Sequence, residues 1–388
     1  VVTLDDRLHA ATTDLHAATT AAEPAAPPRS RRPLLLAAAV VVAVVLVTAL
    51  TTRPDREGAR VTTDEPPSPT TTTALASVYR YATAVAQFRG RWYAAGAVFD
   101  ARADHTSASP VVWRSDDGTN WKRVWDHGDV ALGSGTAQEL HVVGDRLVLF
   151  TSGTGGVEAW HTTDGVDWGE GELPGEGFFL GGVTFRDRLY ALTQPKRPDS
   201  RVEAHSTIAD GNWQPDRLDI PGIPWLQRIT AGDDLVVGGH VSTAEGQPPV
   251  VWRSTGDGHW IGPMVLGDEP ADVYSLAASG STTLAVIGRV GSTPQLWLSG
   301  ERGAWEHVGD APVTYNGNQA TLVGIDDGFL AAGVDGSVLR SADGRVWAPV
   351  GTLDGRANPS PLAVDGDTVV ALVTTTAGWE SRVLHLPR

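Results

Sequence analysis

The feature that most constrains this chain is a turn that returns six times. It reads Ser/Thr-x-Asp-Gly-x-x-Trp or a near variant, with a strand-like run on either side. The copies are SDDGTNW (Ser115–Trp121), TTDGVDW (Thr162–Trp168) and IADGNW (Ile208–Trp213), then STGDGHW (Ser254–Trp260), SGERGAW (Ser299–Trp305) and SADGRVW (Ser341–Trp347). Their closing tryptophans stand 47, 45, 47, 45 and 42 residues apart, and four copies carry another Trp two residues before the Ser/Thr, at Trp113, Trp160, Trp252 and Trp297. Self-similarity at such a period marks a repeat architecture, in which each unit buries its apolar face only against its neighbours.

A second signal alternates with the first. Gly/Asp-rich hairpin turns occur at Arg89–Gly90, Gly144–Asp145, Arg186–Asp187, Gly232–Asp233, Gly280–Ser281, Asp326–Asp327 and Gly366–Asp367. Each is followed by an apolar run such as WYAAGAV, LVLF or LVVGG. Near-continuous apolar runs are strands covered on both faces, as strands between neighbouring propeller blades are. Seven hairpins against six boxes leave the last unit short of its outer strand, and Ala74–Arg80 is free to supply one and close the ring. The expected fold is therefore all-β, a seven-bladed β-propeller over 74–388, with six blades as the alternative.

The Ser-x-Asp-Gly-Trp turn resembles the Asp box, or bacterial neuraminidase repeat, of sialidase-like propellers. The resemblance extends over Ala74–Arg388 and implies a turn between the third and fourth strands of a blade, remote from the ligand face. Physical chemistry agrees: Asp accepts hydrogen bonds from turn N–H groups, Gly takes positive φ and Trp covers a blade junction. Asp117, Trp121, Asp164, Trp168, Asp210, Trp213, Asp257, Trp260, Trp305, Asp343 and Trp347 read accordingly as fold residues.

Ahead of the repeats, Leu34–Leu50 reads LLLAAAVVVAVVLVTAL without a charge. Such a run, at about 1.5 Å per residue, is near the short limit for crossing a bilayer as one helix. Arg29, Arg31 and Arg32 lie tight against its start, and a Pro/Thr-rich linker over 51–73, ending in PPSPTTTT, follows it. The expectation is a cell-membrane protein with a single-pass transmembrane helix (34–50), a short cytoplasmic tail (1–33) and an extracellular propeller lifted off the surface. The net charge of −16 argues against a nucleic-acid partner, and the absence of Cys excludes a thiolate site or thiol nucleophile.

With the boxes at one end, ligands should meet the other, where the loops within and between blades converge. Trp225, Tyr315, Phe178 and Phe179 are the aromatics in or beside those loops and form the candidate ligand face. Catalytic signals are weak. The Arg-Ile-Pro context that the resemblance would lead one to expect is replaced by YRYATAVAQFRGRW, and the loop acids Glu176, Asp199, Glu245, Glu269 and Asp310 cannot be paired from sequence. No HExxH, GxSxG or P-loop occurs. No catalytic residue, cofactor or metal is assigned. The leading expectation is a binding or scaffolding module for an envelope glycan or protein. The alternatives are a sialidase-like glycoside hydrolase and a single-pass sensor signalling through residues 1–33.

Overall fold

A computed structural model of the chain describes residues 78–387, apart from 101–107, 128–134, 154–155, 172–176, 196–202, 208–212, 217–223, 243–245, 256–258, 289–291, 301–302, 314–320, 354–358 and 376–377. The expected tail, transmembrane span and linker lie outside the described residues, as do Asp210, Asp257 and Tyr315. No helix among the described residues is long and apolar enough to cross a membrane.

The chain builds seven antiparallel sheets in sequence order, and the architecture is a seven-bladed β-propeller. Blade 1 holds β1 (Val78–Phe88), β2 (Arg91–Asp100), β3 (Ala108–Ser115) and β4 (Lys122–Asp126). Blade 2 holds β5 (Thr136–Val143), β6 (Arg146–Gly153), β7 (Gly156–Thr162) and β8 (Gly169–Gly171). Blade 3 holds β9 (Gly177–Phe185), β10 (Arg188–Pro195), β11 (Glu203–Thr207) and β12 (Trp213–Asp216). Blade 4 holds β13 (Pro224–Ala231), β14 (Leu235–Val241), β15 (Pro249–Ser254) and β16 (Trp260–Val265). Blade 5 holds β17 (Asp272–Ser279), β18 (Thr282–Gly288), β19 (Gln295–Ser299) and β20 (Trp305–Asp310). Blade 6 holds β21 (Thr321–Ile325), β22 (Gly328–Ala332), β23 (Ser337–Ser341) and β24 (Ala348–Thr352). Blade 7 has three strands among the described residues, β25 (Pro359–Asp365), β26 (Thr368–Thr375) and β27 (Gly378–His385).

The first strand of each blade packs against the first strands of its neighbours, and β1 meets β25 to complete the ring. The second strands are the apolar runs read from the sequence. In β6, Leu147 to Phe150 are all buried, while β4 is mostly open to solvent. Hairpins between first and second strands turn tightly where the sequence placed them. Arg89 and Gly90 have φ of 51° and 72°, and Arg186 and Asp187 have 50° and 60°. Positive φ at both central positions gives the turn a twist that matches its strands.

The repeated boxes join third to fourth strands, so they share one end of the ring with the hairpins. In blade 1 the Asp117 Oδ1 accepts from Thr119 N and Asn120 N, each at 2.8 Å, and from Ser115 Oγ at 2.8 Å. Blade 2 repeats this with Asp164 accepting from Val166 N (2.8 Å), Asp167 N (2.9 Å) and Thr162 Oγ1 (2.9 Å). In blade 6 Asp343 accepts from Arg345 N (2.8 Å), Val346 N (3.1 Å) and Ser341 Oγ (3.1 Å). These bonds favour the carboxylate and hold all three aspartates below the usual range, the backbone donors leading in each case. Gly165 shows why the next residue has no side chain. Its φ is +77°, and a Cβ there would lie 1.9 Å from the Tyr93 hydroxyl oxygen. The fifth copy, SGERGAW, has no Asp. There Gly300 N donates to Ala304 O at 2.6 Å, and Ser299 Oγ accepts from Thr283 N at 2.7 Å.

The box tryptophans cover seams between blades. Trp168 lies against Trp125 of the preceding blade at 5.7 Å, and Trp121 against Trp379 of blade 7 at 5.5 Å. This last seam corrects an expectation. Of Ala74–Arg80, expected as an outer strand of blade 7, residues 74–77 lie outside the described residues, and Val78–Arg80 instead open β1 and pair with Val98–Asp100. Because β2 runs on to Asp100, the start of β1 finds its hydrogen-bond partners inside its own blade. The described seam between blades 7 and 1 is closed by side chains, with Val85, Trp92 and Trp113 packed against Val370 and Leu372.

Candidate functional site

The end of the ring opposite the boxes is reached where first strands begin. Six of the seven first strands carry a β-bulge near that end, shown by register shifts at Ala82/Ala84, Ala137/Glu139, Leu226/Arg228, Val273/Ser275 and Pro359/Leu362, and at Leu192/Thr193 opposite β9. A bulge inserts one unpaired residue and re-aims its neighbours. It also supplies a ruler from blade to blade. Two residues before the bulged residue stand Tyr81, Thr136, Phe178, Trp225 and Asp272 in blades 1 to 5.

These positions differ in how they meet solvent. Phe178 is 61% exposed and Trp225 36% exposed, although both belong to regular strands. Trp225 is backed by His240, stacked at 6.2 Å with an interplanar angle of 22°. Tyr81 stacks on Phe99 at 5.3 Å. Phe179, the next residue along from Phe178, stacks on Phe150 at 4.7 Å and packs against the core between blades 2 and 3.

A polar network runs behind the aromatics. Asp272 Oδ1 accepts from Gln227 Nε2 at 2.5 Å and lies 3.6 Å from His240 Nδ1, while Gln227 Oε1 accepts from Val273 N at 2.7 Å. Gln227 is the bulged residue of β13, and its amide fastens blade 4 to blade 5. Arg228, just after it, donates from Nε to Tyr274 O at 2.9 Å and from Nη1 to Gln227 O at 2.6 Å. Burial lowers the Arg228 pKa from its ordinary value, and Glu139 and Asp272 act in the opposite sense. Glu139 Oε2 accepts from Gly182 N at 2.8 Å and lies 2.9 Å from His141 Nε2. Burial pushes His240 down, against the pull of Asp272. Among the described residues, this network sets the carboxylates of Glu139 and Asp272 against the Arg228 guanidinium, His141 and a His240 disfavoured as a cation.

Two clefts lie at blade seams. One of about 480 Å³ at the junction of blades 4 and 5 is lined by Asp268, Glu269, Gln295, Trp297 and His307 among others. The other, about 410 Å³, sits at the seam of blades 7 and 1 between Arg80, Trp113, Trp121 and Trp379. Of the loop acids named from sequence, Glu269 lines the first cleft and Asp310 accepts from Gln295 Nε2 at 2.9 Å. Glu176, Asp199, Glu245 and Tyr315 lie outside the described residues. Arg228 is the guanidinium of the rim network, and Arg80 belongs to the other seam. Among the described residues no group of three or more His or acidic side chains could hold a metal ion.

Sequence reasoning named Phe178 and Trp225 but missed Gln227, Arg228, Glu139, His240 and Asp272. The missed residues sit inside strands that read as ordinary apolar or mixed runs. The bulges that turn them to use leave no mark in the residue pattern.

No family model matches the chain, and no curated protein matches it. Solved structures do match. A catalytically inactive virginiamycin B lyase from Staphylococcus aureus with quinupristin aligns over 81% of this chain and 97% of its own, at a TM-score of 0.55 and 10% identity. A streptogramin B lyase aligns over 80% and 94%, at 0.52 and 13%. YCF48 bound to D1 peptide aligns over 80% and 95%, at 0.51 and 15%. At these identities the likeness is one of fold.

Proposed function

We propose that this chain is a membrane-anchored propeller that binds an envelope ligand, a glycan or a protein, at the end of the ring opposite its box turns. The observation that carries the reading is the exposure of Phe178 and Trp225 at one register position of adjacent blades. Large aromatics open to water on strands of adjacent blades are suited to stacking on a ligand or anchoring a partner. The turns at Asp117, Asp164 and Asp343 we read as Asp boxes of the sialidase-like type, which assigns them to the fold and leaves the opposite end for ligands. The anchor at 34–50 and its Pro/Thr linker would hold the propeller outside the cell with the N-terminus in the cytoplasm. Among the similar folds, the quinupristin-bound lyase and the D1-peptide-bound YCF48 support a propeller of this type receiving a compact ligand.

The glycosidase alternative would place three arginines around the substrate; among the described residues the rim network supplies Arg228. The test uses the full chain purified in detergent and mixed with envelope material from the source cell. Retention on the envelope without release of soluble sugar is the expected result, and retention should fall in a Trp225→Ala, Phe178→Ala double variant. Sugar release above a heat-inactivated control would replace this reading with a hydrolase.

A further inference from the structure

The binding reading leaves open what the ligand is, and the rim chemistry narrows it. We propose, resting on that reading, that the rim takes a neutral or amino-bearing glycan. One sugar ring would lie on Trp225, with its hydroxyl or ammonium groups received by Asp272.

Three features converge on this class. Trp225 is braced from behind by the stacked His240 ring and remains 36% exposed, so the indole is a fixed platform rather than a loose side chain. A pyranose presents an apolar face of C–H groups and a polar edge of hydroxyls, and the first suits an indole. Asp272 suits the second. Its Oδ1 is held by Gln227 at 2.5 Å, Gln227 is itself held by Val273 N, and the carboxylate remains 51% exposed. Its Oδ2 accepts no hydrogen bond among the described residues, so a pinned acceptor stands open one blade from the platform. His240 touches both groups, stacked on Trp225 and 3.6 Å from Asp272, so platform and acceptor form one unit.

Charge sets the remaining choice. The chain carries a net −16, and among the described residues of the rim network Glu139 and Asp272 outnumber Arg228. A polyanionic glycan would meet repulsion, whereas a neutral or amino sugar would not. Phe178 holds the matching register position one blade away and is more exposed than Trp225, which provides a second stacking surface for a longer chain. An apolar peptide anchor would gain little from an exposed carboxylate beside its platform, so the arrangement favours sugar over peptide.

The experiment titrates the full chain in detergent with a β-1,4-linked N-acetylglucosamine tetramer, a β-1,4-linked glucose tetramer, their disaccharides and polygalacturonate, by calorimetry. In parallel, retention is measured on envelope material before and after periodate oxidation of its sugars. Saturable binding of a neutral tetramer is expected, with Trp225→Ala weakening it about tenfold or more. Asp272→Asn should weaken it by a smaller factor, and Phe178→Ala should weaken the tetramer while sparing the disaccharide. Preference for polygalacturonate overturns the proposal. So does envelope retention that survives periodate yet is lost in Trp225→Ala, which would make the ligand a protein and keep the rim. Retention unchanged in both aromatic variants would remove the rim reading itself.

Discussion

The two ends of this ring are built from the same repeats and have gone opposite ways. At the hairpin and box end, blades 1, 2 and 6 place an aspartate against the same turn N–H groups within a few tenths of an ångström. At the other end, one register position holds Tyr81, Thr136, Phe178, Trp225 and Asp272 in successive blades. Repetition is kept where each copy solves the same local problem, a tight third-to-fourth turn with unpaired N–H groups. It is given up where neighbouring blades contribute to one shared surface. The difference teaches that the residues easiest to find here stabilise the scaffold, and the ones that distinguish blades are the ones to test for recognition.

The largest effect should come from the conserving end. In Gly165→Ala a Cβ would meet the buried Tyr93 hydroxyl at 1.9 Å on a backbone at φ +77°. A loss of about 3 kcal/mol or more is expected, measured by urea denaturation. Gly90→Ala separates strain from collision, since its φ of +72° is similar and no atom lies within 4 Å of the added methyl. Its cost should be about 1 kcal/mol. Equal losses in the two variants would mean that the box turn is no more tightly specified than an open hairpin.

How much of this could be read beforehand follows the same division. Period, blade number, hairpin positions and the location of the box turns all stand in the residues, because each rests on local chemistry that recurs. The closure of the ring is not legible at Val78–Arg80, where nothing local distinguishes the start of a long first strand from a separate outer strand. The rim network was invisible for a related reason. Gln227 and Asp272 are far apart in sequence and meet only because a bulge in one first strand brings an amide against the next blade.

Arg228 offers the intermediate effect and a test of whether the ligand end also carries structural weight. Replacing it by Met removes donors from Tyr274 O and Gln227 O and the counter-charge to Glu139 and Asp272. A loss of about 1–3 kcal/mol is expected. The effect should also show as altered glycan affinity, because Gln227 supports Asp272. Phe178→Ala should sit well below that, within about 0.5 kcal/mol of the parent, since the side chain is 61% exposed. A large stability loss there would assign Phe178 to packing and weaken the contrast between the ends.

The smallest and most diagnostic effect lies in acid, where the buried histidines and the box aspartates should titrate in separate windows. His240 at the rim has its pKa lowered from 6.5, chiefly by burial. The unfolded chain then binds that proton more readily than the native one, so stability is full above about pH 6.5 and declines as the pH falls below it. His161, next to the blade 2 box in β7, is also lowered by burial and by Arg146 and adds to the same step from the other end. Asp117, Asp164 and Asp343 are lowered from 3.8 by their turn hydrogen bonds, so their contribution persists to lower pH. It is lost only as the pH falls below about 4, where the unfolded chain takes up protons that the native turns resist. Melting temperature followed from pH 8 to pH 3 should therefore fall in two stages. His240→Gln should shrink the first stage and leave the second untouched, and Asp343→Asn should do the reverse. A variant at one end that moved both stages would show the ends to be coupled through the blades.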